Sequence, residues 1–115
     1  MSSAISIRAV GDTVREVPSG ILGVAYTQVG ASFTHPTRIV IFQNYTDTGV
    51  MFSTNGVNDW LPLTPNGYLV LDVASNKTST QGFSFPEGAT FYVRQLGAPA
   101  TTGSVYISTV YGASI

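Results

Sequence analysis

The sequence contains no cysteine, one histidine, and only five Lys and Arg plus six Asp and Glu among 115 residues. Without cysteine there is no disulfide framework and no thiol nucleophile, and His35 alone cannot complete a tetrahedral zinc site without three carboxylates. Charged residues make up 10% of the chain, against about 25% in ordinary soluble domains. The net charge is -1 and the five basic residues are scattered. The clustered Lys and Arg that phosphate neutralisation requires are therefore missing, and no nucleic-acid partner is expected. Charge-free stretches at 17–37 and 95–115 are broken by Gly, Pro, Ser and Thr, so neither reads as a membrane span. The opening residues lack a basic start followed by an apolar core, and no secretory signal is expected.

What the chain does contain is β-branched and aromatic residues, at 43% hydrophobic and 11% aromatic. Its length suits a single core that needs no metal or disulfide. Ser and Thr supply most of the polarity. An apolar-leaning surface with so few charges implies that part of it is covered by a partner.

Period-2 patterns dominate and no window carries a capped helical stripe, which predicts an all-β chain. Residues 38–44 (Arg-Ile-Val-Ile-Phe-Gln-Asn) read as a central strand. Residues 50–54 lead into Asn55-Gly56, a pair suited to a tight hairpin turn, with 60–63 returning as a short or edge piece because of Pro62. Pro65-Asn66-Gly67 is a second turn signal, and 68–73 a further strand. Other candidates lie at 23–33, with a bend or bulge at Gly30, and at 82–85, 90–95 and 103–111. Seven or eight short strands predict a single-domain antiparallel β-sandwich over 21–115, with the jelly roll as the favoured form. Residues 1–20 are an extended arm reaching a neighbour or an edge strand of the same domain.

Motifs for chemistry are sparse. His35 stands before Pro36, and no Gly-x-Ser-x-Gly elbow surrounds any serine. Asp47 and Glu87 occupy turn contexts, where carboxylates accept backbone hydrogen bonds. The segment Asn55-Gly56-Val57-Asn58-Asp59 offers oxygen ligands without the spacing of a calcium loop. Trp60 beside Asn58 and Asp59 suits a sugar-stacking surface, but a lone Trp is more often a core or interface anchor. Asn44-Tyr45-Thr46 and Asn76-Lys77-Thr78 match the glycosylation triplet. No catalytic residue, cofactor or metal is expected.

From Val50-Met51-Phe52-Ser53-Thr54-Asn55-Gly56 through Leu61-Pro62 to Gly67-Tyr68-Leu69-Val70-Leu71-Asp72-Val73 and Ser75-Asn76-Lys77, the chain resembles small virion structural proteins of tailed bacteriophages. The resemblance spans about a third of the chain, and Asn55 stands where an Asp is expected. It implies a β-sandwich serving as a capsid decoration or cement protein, or as a neck or tail accessory. Such a protein has no catalytic residues, is made in the host cytoplasm and resides in the virion. Its partners are capsid, neck or tail subunits, and it assembles as a homo-oligomer. The residues expected at contacts are Arg8, Arg15, Tyr45, Trp60 and Tyr111. The reading from another class is a carbohydrate-binding module using Trp60, Asn58 and Asp59.

Overall fold

A computed structural model describes residues 7–72 and 85–114, which contain no helix. The strands are β1 (Ile7–Gly11), β2 (Arg15–Pro18), β3 (Thr27–Gln28), β4 (Ile39–Asn44), β5 (Gly49–Ser53), β6 (Leu61–Leu63), β7 (Tyr68–Asp72), β8 (Tyr92–Leu96) and β9 (Ser104–Ser114). All pairings are antiparallel. Sheet A runs β2-β9-β4-β7, with β1 beside the far half of β9, and sheet B runs β3-β8-β5-β6. From β2 onward the chain crosses between the sheets at every step except the β5–β6 hairpin, and its eight strands form two four-stranded sheets in jelly-roll order.

Against the expected seven or eight short strands, the described residues contain nine, with β1 and β2 as two pieces along one edge of β9, which itself extends over 11 residues. Within the expected arm or edge strand at 1–20, the described strands β1 and β2 both pair with β9 of the same domain. Val17 on β2 is 3% exposed and belongs to the core. Of the candidate strand at 82–85, Phe85 bridges Thr37; residues 82–84 lie outside the described residues, as does the Asn76-Lys77-Thr78 triplet.

Inward positions alternate as the pleat requires. Val40 and Phe42 of β4 meet Val105 and Ile107 of β9, and across the sandwich Val50, Phe52 and Val93 complete the layer. Six rings run through this core. Phe91 is the hub, with centroids 5.7 Å from Phe33, 5.1 Å from Phe42, 5.4 Å from Phe85 and 5.9 Å from Trp60, within the range where aromatic pairs attract beyond their burial.

Pro62 sits on β6, an edge strand, where its missing N–H costs no central ladder bond. The hairpin joining β5 to β6 is present, but its connection is residues 54–60 and not a two-residue Asn-Gly turn. Asn55 uses its side chain instead. Its Oδ1 accepts from the N–H groups of Val57 and Asn58 at 2.9 Å each, and Ser53 Oγ accepts from the N–H of Gly56 at 2.9 Å. The turn at Thr64-Pro65-Asn66-Gly67 has Asn66 at φ 63° and the Gly67 N–H on Thr64 O at 2.8 Å. That is a type II turn with Asn in its left-handed position.

Both crossings between sheets near this end are tied by Asn44, which is fully buried. Its Nδ2 donates to the carbonyls of Thr48 (2.8 Å), Leu63 (3.2 Å) and Thr64 (3.1 Å), and its Oδ1 accepts from Thr46 N–H (3.0 Å) and Thr46 Oγ1 (2.6 Å). An amide buried and bonded in this way cannot serve as a glycosylation acceptor in the folded chain.

Candidate functional site on the outer face of sheet A

The two outer faces differ. On sheet B, residues 54–60 fold back over the strands. Gly56, at φ 76°, lies against the Tyr92 ring, and Asp59 Oδ2 accepts from Arg94 at 3.0 Å while Oδ1 accepts from the Tyr26 hydroxyl. The Arg94 guanidinium also lies 5.6 Å over the Tyr26 ring. Donation from Tyr26, then from Arg94, holds the Asp59 carboxyl below its usual range.

Sheet A carries no such cover among the described residues. Its outward positions fall in rows across the strands: Glu16, Tyr106, Gln43 and Tyr68, then Ser108, Ile41 and Val70, then Val110, Ile39 and Asp72. Tyr68 is 71% exposed and Val70 52%, with Tyr45 at 53% on the continuation of β4. The only charges in these rows, Glu16 and Asp72, stand on the outer strands β2 and β7. The result is a face of aromatic, aliphatic and uncharged polar side chains whose charges stand on its outer strands.

At one end the face deepens into a groove of about 460 Å³ lined by Val14, Gln43, Tyr45, Gly103, Ser104 and Tyr106. The Tyr45 and Tyr106 rings meet at 66° with centroids 5.7 Å apart, and Gln43 Nε2 donates to the Tyr45 hydroxyl at 3.1 Å. Ser104 Oγ donates to Glu16 Oε2 at 2.6 Å. Gly103 has φ 82°, and a Cβ there would stand 2.0 Å from the Tyr45 carbonyl oxygen. Only glycine lets the two backbones close the groove's end. Beside it, Asp47 accepts from the Thr101 hydroxyl, from Thr101 N–H at 2.8 Å and from Thr102 N–H at 3.4 Å. Those bonds, the hydroxyl's first, lower its pKa.

The five residues expected at contacts fall in different places. Tyr45 is on the groove. Arg15 is turned inward at 8% exposure: its Nε donates to Ala31 O at 2.7 Å, its Nη1 to Thr109 Oγ1 at 3.3 Å, and its guanidinium lies 4.9 Å over the Phe33 ring. With its partners Thr13, Asp12 and Ser32, this is a buried cation held inside its own domain, which gives Arg15 a structural part in place of the expected contact. Gly30 at φ 65° makes room for its stem. Tyr111 stacks on His35 at 3.9 Å. Arg8 lies on β1, paired with Ala113. Trp60 is 41% exposed and packs on Phe42 and Phe91, so much of its surface serves the core. Asp59, named with Trp60 for sugar binding, has both oxygens engaged by Tyr26 and Arg94.

Sequence reasoning did not single out Tyr68, Val70 and Tyr106. Their signal was the run Ile39-Val40-Ile41-Phe42, apolar on both sides of the pleat. Among the described residues no three His, Asp or Glu side chains gather as a metal site. The chain matches no protein-family model, no curated protein and no solved structure.

Two expectations arise from these contacts. Trp60→Ala removes a half-covered ring from Phe42 and Phe91, and is expected to cost about 2 kcal/mol in urea unfolding while leaving the sheet A face intact. Asp47 and Asp59 titrate lower folded than unfolded. Their contribution is therefore present above the usual carboxylate pKa of about 4 and is lost as pH falls through the folded values. The Tm should hold between about pH 8 and 5 and drop below about pH 4. In the double variant Asp47→Asn, Asp59→Asn that drop should be shallower.

Proposed function

We propose that this chain is a non-enzymatic virion structural protein of tailed-phage type, a capsid decoration or cement protein that docks through the outer face of sheet A. One observation carries the reading. Strand β4 is apolar on both faces, with Ile39 and Ile41 outward and Val40 and Phe42 inward. Strands of that composition belong between two covering layers, yet only one layer is supplied by the described residues. A capsid surface is the second. The scarcity of charge fits a face held against a partner throughout the life of the particle.

The mechanism is mechanical. Each docked copy binds the assembled shell and not its separated subunits, so it stabilises the assembly by mass action. Repetition over a symmetric shell, and self-association of the copies, multiply a modest contact. A neck or tail position uses the same face. The chain is made in the host cytoplasm and leaves within the particle.

The test is a double substitution, Tyr68→Ser with Val70→Ser. Both side chains are largely exposed, so the Tm should stay within about 3 °C of the parent. Occupancy on particles lacking the protein should fall at least about tenfold, as truncation of interface anchors does. Undiminished occupancy by a folded variant removes sheet A from the mechanism.

A further inference from the structure

Resting on that docking reading, we infer that the groove between Tyr45 and Tyr106 receives an extended, proline-containing segment of the partner that carries a Lys or Arg beside the proline. The groove's shape argues for the proline. Two rings inclined at 66° with centroids 5.7 Å apart make a V-shaped aromatic notch, and Val14, 50% exposed, adds an apolar wall. The site is shallow and open, with about 460 Å³ of space over its lining, so it suits an extended segment laid across it and not a ligand enclosed within it. Pyrrolidine rings pack on tyrosine faces, and a polyproline II segment arrives already ordered, so little entropy is lost on binding.

The hydrogen-bonding groups match as well. A polyproline II segment has free carbonyl acceptors and few N–H donors. The groove supplies donors: the Gln43 amide is part of its lining, and the Tyr45 hydroxyl accepts from that amide, which leaves its own proton to give. Charge selects the flanking residue. The charged side chains bonded to this end of the face are both acidic, Glu16 through Ser104 and Asp47 through Thr101 and Thr102, the residues preceding Gly103. A cation next to the proline meets that field.

The probe is a synthetic peptide with two Pro-x-x-Pro repeats followed by two arginines, titrated into the full chain labelled with ¹⁵N. Saturable shifts are expected at the amides of Gln43, Tyr45, Ser104 and Tyr106. Tyr106→Ala should weaken binding at least about tenfold, and Glu16→Gln, which keeps an acceptor for Ser104, about three- to fivefold. Both variants change outward side chains, and their Tm is measured alongside. Equal affinity for an analogue with glutamines in place of the arginines overturns the inference, as does shifting of the same amides by maltotetraose but not by the peptide. If the peptide fails while the chain still binds particles, the inference falls and the docking reading stands. If both fail, the docking reading falls too.

Discussion

Asn44→Ala is expected to lower the unfolding free energy by about 3–5 kcal/mol and the Tm by roughly 10–20 °C. Asn44 is fully buried, and its amide satisfies three backbone carbonyls while accepting two bonds from Thr46. Truncation leaves the carbonyls of Leu63 and Thr64 without that donor at the point where the chain passes from sheet B to sheet A. It also frees the corner that carries β4 into β5. Hydrophobic gain from the smaller residue cannot offset this, because the stranded groups remain buried. Asn44→Asp is an informative companion. A carboxylate there faces three carbonyl oxygens, so the loss should be at least as large at neutral pH and should shrink in acid as the carboxyl regains a proton to donate. A loss below about 1 kcal/mol for Asn44→Ala in urea unfolding would contradict the role given to this residue.

Phe91→Ala should cost about as much, 3–5 kcal/mol. The ring is 2% exposed and touches four others, Phe42 on sheet A and Phe33, Phe85 and Trp60 in the connecting segments. Its removal opens a cavity bounded by Phe33, Phe42, Phe85 and Trp60, and rigid rings collapse poorly into such a space. Since domains of this size are stable by only about 5–15 kcal/mol, either substitution removes a large share. Phe91→Leu keeps most of the volume and should cost under about 1.5 kcal/mol. Trp60 gives a second readout, because its ring lies at 23° to Phe91. Emission from the folded Phe91→Ala protein should shift to the red as the indole loses that cover. An unshifted spectrum would mean that Trp60 is held by other contacts.

Much of the fold could be read from alternation and turn chemistry. Strand β4 was expected at 38–44 and observed at Ile39–Asn44, and β7 was expected at 68–73 and observed at Tyr68–Asp72. Pro62 correctly marked an edge. The Asn55-Gly56 turn was misjudged because Asn55 can satisfy backbone donors with its side chain as well as adopt a positive φ, and here it does the former. Asn44 and Arg15 were opaque for a different reason. Beside local bonds, Asn44 reaches partners 19 and 20 residues away and Arg15 reaches partners 16 and 94 away, and these distant partners, which no local pattern shows, are what make one a keystone amide and the other a buried guanidinium. The candidate site was half visible. A strand apolar on both faces announces two covers, but which face the chain itself leaves bare depends on where the 54–60 loop folds, and that is settled by Gly56, Asp59, Tyr26 and Arg94 together.

Docking through the outer face of sheet A is tested most directly by co-sedimentation with particles that lack the protein, over a salt series. Binding should saturate at a fixed stoichiometry and persist at about 1 M salt, where the Debye length falls to about 3 Å and charge-driven docking is screened. Failure of the well-folded chain to bind, or binding that disappears with salt, would contradict an interface built from Tyr68, Val70, Ile41 and their neighbours.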